Sequence, residues 1–485
     1  MELKIKKVDW LFLFLCLIVG IIAEEAFFRD EIGVSYIVFI AVFYSIFFYR
    51  FRSFSFSHQR FGYLILISIW LLAISYYLYD SILFYTLNIL IIPSLVIFHL
   101  ALITAPKKAE WSSLHFIFYI MQRLVDGIRY NVRFTKHISG NFKRSSNEDH
   151  YKVWKKILIG IAFSLPVLFI ILSLLTSADA QFEKLLGNIP NLISVRSDLV
   201  FRIAVILIYT CSFFGFMQIL LQKNNYIIKR EDTVKPITAD GIVTITMLLL
   251  LDLVYVLFVA IQFKYFFNGA LDESYTYAEY ARRGFFELIF VTLINLTVIT
   301  AIIQFTKSIL GLLKRTIRIA LTVLVLSSGV ILISAFMRLT MYEDAYGFTF
   351  TRVLAHSFMI FLMVILAYTF VKIWLEKLSL FHFYFITSLI YYAGINIVNL
   401  DSFVIDRNID RFETTGKIDT NYLSNLSSSG ILGLIEIYEQ NPNVPGLEKL
   451  LKQRKTEREY LKNDAWQSYN LTKNKAYIKL GELDL

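Results

Sequence analysis

The chain alternates between long apolar segments and short charged connections. Each apolar segment has about 16–25 residues, which at about 1.5 Å per helical residue matches a hydrocarbon core of about 30 Å. The pattern predicts an all-α, polytopic integral membrane helix bundle of about eleven spans, with a count between about ten and twelve. The predicted spans are 8–23, 32–49, 62–79, 82–103, 155–176, 198–221, 238–262, 285–306, 318–338, 350–372 and 380–398.

The composition agrees with a membrane protein and changes the interpretation of the positive charge. Hydrophobic residues make up 57% of the chain and charged residues only 18%, whereas soluble domains are about a quarter charged. The net charge of +10 comes from basic residues beside the apolar spans. Attraction to an anionic inner leaflet explains this placement better than nucleic acid does, so the expected partner is the lipid bilayer.

Lys and Arg concentrate in every second connection, which predicts the orientation of the chain. The connection 104–156 has eleven Lys and Arg against four Asp and Glu, and the alternate connections are acidic or balanced. Because basic connections stay in the cytoplasm, the N-terminus is expected inside. An odd number of spans then puts the C-terminus outside, in the plasma membrane of a bacterium.

Four parts follow from this topology. Residues 1–103 form four N-terminal spans, and 104–154 form a basic cytoplasmic loop with an interfacial helix at 111–130. Residues 155–398 form a seven-span core, and 399–485 a small extracytoplasmic helical domain. In this tail the stretch SSSGILGLIEIYEQNPNVPG predicts a short helix with a serine cap and a terminal Asn/Pro turn.

Polar residues gather at two junctions on the predicted outer side, one with Arg283 and Glu287 and a second with Arg338, Tyr342 and Glu343. Asp252 lies near the middle of a span, where an acid costs about 2.5–3.5 kcal/mol, so it is expected to face the bundle interior. Arg283 and Glu287 are four residues apart on one helix face. They form either a topological anchor or a pocket for an anionic group, and both interpretations stay open. The candidate binding residues are Asp252, Gln262, Tyr280, Arg282, Arg283, Glu287, Arg338, Tyr342 and Glu343.

Several of these stretches resemble a catalogued family. AEYARRGFFEL, IQFKYFFNG, RLTMYEDAYGFTFTR, NLDSFVIDRNIDR and WQSYNLTKNKAY occur in order between about residue 150 and the end. Together they are similar to the bacterial membrane-protein family catalogued as domain of unknown function 4173. The resemblance implies a many-helix bacterial membrane protein and implies no reaction.

A second resemblance is to CAAX-type intramembrane metalloproteases. Glu24, Glu25 and Arg29 fit EExxxR, Phe54 with His58 fits FxxxH, and His137 with Asn141 fits HxxxN. In that family Glu and His residues hold the metal and activate water. Topology opposes the match, because Glu24 and His58 are expected at opposite membrane faces, about 30 Å apart.

The function expected from the sequence is sensory or envelope-associated binding, with a small anionic ligand or a lipid headgroup on the outer side. A transporter or lipid-handling protein that uses the outward-facing polar site is the alternative, and the metalloprotease is a remote one. Enzymatic activity is left open, since no catalytic constellation is credible. No cofactor and no metal is expected.

Overall fold

The computed structural model describes residues 6–143, 190–222, 239–263, 284–306, 309–460 and 465–484. Within these ranges the chain forms sixteen α-helices and no strand. The helices are α1 Lys7–Phe27, α2 Val34–Arg50, α3 Gln59–Leu78, α4 Ile82–Thr104, α5 Leu114–Lys143, α6 Pro190–Leu220, α7 Gly241–Ile261, α8 Phe285–Phe305, α9 Gly311–Tyr346, α10 Phe350–Trp374, α11 Leu380–Ile397, α12 Leu400–Thr415, α13 Thr420–Ser424, α14 Ser428–Gln440, α15 Leu447–Tyr460 and α16 Leu471–Glu482.

Nine helices in the described part of the chain are long and apolar enough to cross a membrane. They are α1, α3, α4, the Asp198–Leu220 part of α6, and α7 to α11, and each matches a predicted span. The predicted span 32–49 corresponds to α2, an apolar helix of 17 residues. The predicted span 155–176 lies outside the described residues. The prediction of an all-α, polytopic membrane helix bundle is therefore confirmed.

Contacts divide the chain into two compact units. Unit 1 comprises 1–62, 97–227 and 465–468, and unit 2 comprises 63–96, 228–464 and 469–485. In unit 1, α1 packs antiparallel along α6: the rings of Phe12 and Phe214 are 5.9 Å apart near one end. Near the other end Arg202 donates to Glu24 at 2.7 Å.

Helix α5 also belongs to unit 1 and contains most of the predicted interfacial helix 111–130. It is longer than predicted and continues to Lys143. It crosses α6 where Gly127 meets Gly215, because a Cβ at Gly215 would lie 2.5 Å from the Gly127 carbonyl oxygen. Glycine at both positions lets the two backbones approach closely.

In unit 2, α7 runs parallel to α9 with a constant offset of 72 residues. Gly241 lies against Leu313 at one end, and Ser334 bonds Gln262 at the other. Helix α8 runs antiparallel to α9, since Asn295 bonds Ser328 near the middle and the rings of Phe285 and Tyr342 lie 6.5 Å apart near one end. The buried core between these helices and α10 is apolar and includes Leu248, Ile299, Leu324, Leu332, Leu339, Met359 and Leu362.

The helices α12 to α16 form a second apolar core within unit 2. It contains Ile405, Ile409, Leu423, Leu434, Ile435, Ile437, Val444, Leu447, Leu451 and Leu480. The predicted short helix is found as α14, and Asn441 ends it as expected. Its N-cap residue Ser427 makes no side-chain capping bond. Instead, Asp80 of the α3–α4 turn accepts the Ser428 backbone N–H with both oxygens, at 3.1 and 3.0 Å.

The C-terminal helices of unit 2 are fixed to one end of its membrane helices. Besides the Asp80 contact, the Tyr422 hydroxyl accepts the Phe350 N–H at 2.8 Å, and Thr472 donates to the Leu78 carbonyl at 2.6 Å.

The opposite end of unit 2 is basic. There Lys314 pairs with Glu376 at 2.7 Å, and Arg318 pairs with the same carboxylate.

Candidate functional site

The nine candidate residues do not all fall in the described part of the chain. Tyr280, Arg282 and Arg283 lie outside it. Glu287 lies in the first turn of α8 and is exposed. The other five residues are in unit 2, on α7 and α9 or just past the end of α7.

Gln262 and Arg338 do meet, at the junction of α7 and α9. The Gln262 carbonyl oxygen accepts from the Ser334 hydroxyl at 2.9 Å and from the Arg338 guanidinium at 3.3 Å. Gly284, at the start of α8, has φ of +92°, and a Cβ there would lie 3.3 Å from the Arg338 guanidinium. Since Gln262 and Arg338 are buried, this is a packed polar contact inside the helix bundle.

Glu343 faces a different helix from Arg338. Its carboxylate lies 3.0 Å from Nδ1 of His356 on α10, and it is only 2% exposed. The other Glu343 oxygen has no hydrogen-bond partner among the described residues. Tyr342 is partly buried, and its ring lies 4.1 Å below the Arg352 guanidinium. The predicted second junction is therefore two contacts, one toward α7 and one toward α10.

Asp252 does not join either contact. It is 7% exposed on the inward stripe of α7, and its Oδ1 has no hydrogen-bond partner among the described residues. The offset of 72 residues puts it at the level of Leu324 on α9. Ten residues separate it from Gln262, which is about 15 Å along the helix.

A groove between the C-terminal helices of unit 2 is a feature that the sequence did not reveal. Its volume is about 680 Å³, within the usual size of small-molecule sites. Helices α12, α14 and α16 and the end of α3 supply its walls, with Ile405, Leu432 and Leu471 among the apolar residues. Gly433 lets α14 lie directly on Ile405, because a Cβ there would overlap that side chain.

The groove carries opposite charges on different helices. Asp406 comes from α12 and Glu436 from α14, whereas Lys475 and Lys479 both come from α16. All four are exposed, and no ion pair within 4.0 Å joins any of them in the described part of the chain. The lysines are four residues apart and share a helix face, and this spacing is the local sequence pattern that points to the groove. Their position opposite the acids arises only from tertiary packing.

A polar cluster lies beside the groove, between α4, α11 and α12. Asn88 donates to Asn396 at 2.7 Å and accepts from the Tyr392 hydroxyl at 2.7 Å. A cavity of about 20 Å³, which is room for one water, adjoins Asn88, Asn396 and Asp401. Burial raises the pKa of Asp401, hydrogen bonds from Ser427 oppose the shift, and the charge of Asp80 adds to it.

The residues of the protease resemblance are engaged in other contacts. Glu24 is held by Arg202 and by Arg29, and His58 Nδ1 lies 3.1 Å from the neighbouring Ser57 hydroxyl. Helix α2, about 25 Å long, lies between Glu24 and His58 in the chain. In the described ranges no group of three or more His, Cys, Asp or Glu side chains is placed to hold a metal ion.

Comparisons with known proteins identify a family and no characterised relative. No curated protein and no solved structure matches the chain. A family model matches residues 66–437, which is about three quarters of the chain, and its description is Domain of unknown function (DUF4153). The resemblance to domain of unknown function 4173 was wrong, and one motif that suggested it, WQSYNLTKNKAY, lies beyond the matched range. The chain is a member of the DUF4153 family of unknown function.

Proposed function

We propose that this protein binds an envelope ligand at the outer face of a bacterial plasma membrane, with its N-terminus inside and its C-terminal helices outside. The charge distribution of unit 2 supports this orientation. Lys314 and Arg318 lie at one end of its membrane helices, and helices α12 to α16 are fixed at the other. Basic connections remain cytoplasmic, so the C-terminal helices face outward.

The groove between α12, α14 and α16 is the proposed ligand site, and its unpaired opposite charges are the observation that carries the proposal. Lys475 and Lys479 suit an anionic group, and Asp406 and Glu436 suit a cationic one. The apolar residues between them suit a short hydrocarbon part. A zwitterionic phosphoethanolamine lipid presents all three features, since its headgroup carries a phosphate and an ammonium group and its acyl chains supply the hydrocarbon part. Glycerophosphoethanolamine is the part that carries both charges.

The attachment of the groove to the spans supports a sensory role. Helix α14 forms one wall, and its first residue is bonded to Asp80 in the α3–α4 turn. Tyr422, just ahead of α14, bonds Phe350 at the start of α10. A ligand that shifts α14 therefore acts directly on the ends of three membrane helices.

Ligand binding is tested with glycerophosphoethanolamine titrated into the purified full chain in detergent, followed by calorimetry. Saturable binding is expected, and the double substitution Lys475→Gln with Lys479→Gln should weaken it at least tenfold, since two charge-assisted contacts are lost. Lys449→Gln, an exposed lysine of α15 away from the groove, is the matched control and should bind normally. No binding by the parent protein, or equal binding by the double variant, contradicts the proposal.

The orientation is tested separately with reporters fused after Leu485. A reporter that is active only outside the cytoplasm should be active there, and one that needs the cytoplasm should not. The opposite pattern overturns the orientation and leaves the groove without access to the outer surface.

Transport is a second candidate function, and Asp252 is the observation that favours it. A buried carboxylate in a span commonly marks an ion or proton path, and Oδ1 of Asp252 has no hydrogen bond among the described residues. Proteoliposomes loaded with a pH-sensitive dye test it. A proton flux that Asp252→Asn removes supports transport, and a flux that the variant retains, or none at all, rules out this path.

A further inference from the structure

Helix α5 packs on its neighbour with one face only. The buried residues on that face are Phe116, Tyr119, Ile120, Arg123, Gly127, Tyr130 and Phe134. Asn131 adds a bond to the Cys211 carbonyl at 2.7 Å. At 100° per residue these positions form one continuous stripe, so the contact with α6 uses only one side of the helix.

The opposite face of α5 is apolar as well. Its exposed residues include Ile117, Met121, Val125, Ile128 and Val132, spaced three or four apart and between 44% and 66% exposed. A helix in water would carry polar residues there. This helix is not among the candidate spans, so a membrane crossing does not account for the second apolar stripe.

The edge between the two apolar faces is basic. Arg129, Arg133 and Lys136 are exposed along it, and Asp126 bonds Arg129 at 3.1 Å. The excess of positive charge lies beside the exposed apolar stripe, which is the arrangement of helices that lie in a membrane interface.

The position of α5 along α6 sets its depth. The close approach at Gly215 is five residues before the end of the span at Leu220, about 7 Å along the axis. Arg123 donates to the carbonyls of Ile219 and Gln222 at 3.2 and 2.9 Å, at the C-terminal end of α6. Interfacial helices bury their apolar face about 5–10 Å into the boundary between headgroups and acyl chains. The distance of about 7 Å between the close approach and the end of the span falls in this range.

We propose that α5 is a binding site for anionic phospholipid. The stripe around Val125 and Ile128 inserts among acyl chains, and Arg129, Arg133 and Lys136 bind the negatively charged headgroups. Charge complementarity selects this occupant. A second copy of the chain would bring another basic edge against the first. The predicted span 155–176 begins with Lys155 and Lys156 and contains no acid, so it also offers no negative charge to the basic edge.

The headgroup contact is tested by titrating short-chain phosphatidylglycerol or phosphatidylcholine into the purified protein and following its thermal unfolding. Each basic side chain near an anionic surface contributes about fivefold in affinity, so Arg129→Gln with Arg133→Gln should weaken the phosphatidylglycerol response about 25-fold. Arg407→Gln is the matched control, because Arg407 also forms an exposed ion pair with an acid three residues away. An unchanged phosphatidylglycerol response in the double variant overturns the proposal.

The apolar contact is tested in nanodiscs, independently of those substitutions. A fluorophore on Ile128→Cys, in a Cys211→Ser background, should be quenched by spin labels near the top of the acyl chains. Lack of quenching means that protein covers the stripe, either a second copy or the 155–176 segment, and contradicts the proposal.

Discussion

The contact between Asp80 and the start of α14 gives the sharpest test of how the C-terminal helices are held. Ser428 donates its backbone N–H to both carboxylate oxygens and its hydroxyl to Oδ2 at 2.5 Å. Losing a capping acceptor costs about 0.5–2 kcal/mol, and losing a negative charge at a helix N-terminus a further 0.3–1 kcal/mol or so. Asp80→Ala should therefore destabilise the first turn of α14 by about 1–3 kcal/mol.

Hydrogen–deuterium exchange of α14 peptides, measured on the full chain in detergent, is the suitable assay. A loss of about 1–3 kcal/mol predicts exchange about 5- to 150-fold faster by local opening. Asp80→Asn keeps an acceptor and should lose only about 0.3–1 kcal/mol. Asp410→Ala removes an acid from an exposed ion pair and should leave exchange in α14 unchanged. Parental exchange in Asp80→Ala, or equal acceleration in Asp410→Ala, would refute the reasoning.

Three further perturbations have defined outcomes. Gly215→Ala should lower the melting temperature, because its Cβ would lie 2.5 Å from a backbone oxygen. Gly329→Ala, with open space around it, should raise the melting temperature slightly. A change of the melting temperature in the same direction in both variants would contradict the close crossing of α5 and α6. Asn88→Leu should cost about 1–3 kcal/mol of unfolding free energy, because it leaves the buried Asn396 carbonyl oxygen without its donor and the half-buried Tyr392 hydroxyl without its acceptor. An unchanged melting temperature would disprove this. Because burial raises the pKa of Asp401, its ionised form costs stability above that pKa. Acidification from neutral toward about pH 4 should therefore raise the protection of α12, measured as exchange corrected for the intrinsic rate at each pH, in the parent but not in Asp401→Asn, and identical corrected profiles would contradict the sign.

The membrane spans could be predicted from the sequence because apolar length is a local property. The predicted span 350–372 is found as Phe350–Trp374, and 380–398 as Leu380–Ile397. Helix ends were less predictable, since a helix does not stop at the edge of the hydrocarbon. The predicted span 318–338 is part of Gly311–Tyr346, which adds a charged turn at each end.

The sequence did not predict the directions in which the candidate side chains point. Arg338 and Glu343 were expected together, and the structure turns them toward α7 and α10. Five residues rotate a helix by about 140°, so the two side chains leave on different faces. Which neighbour each face meets depends on helix register and crossing, which no short window of sequence contains.

The sequence by itself determined that this protein is a chain of membrane helices followed by a more polar helical tail. Only the tertiary structure decided that Asp406 and Glu436 stand across a groove from Lys475 and Lys479, that Asp80 caps α14, and that α5 has two apolar faces. The physical reason is the range of the interactions. Transfer of apolar segments into lipid depends on consecutive residues, whereas charge placement, capping and exposure depend on contacts between residues far apart in the chain.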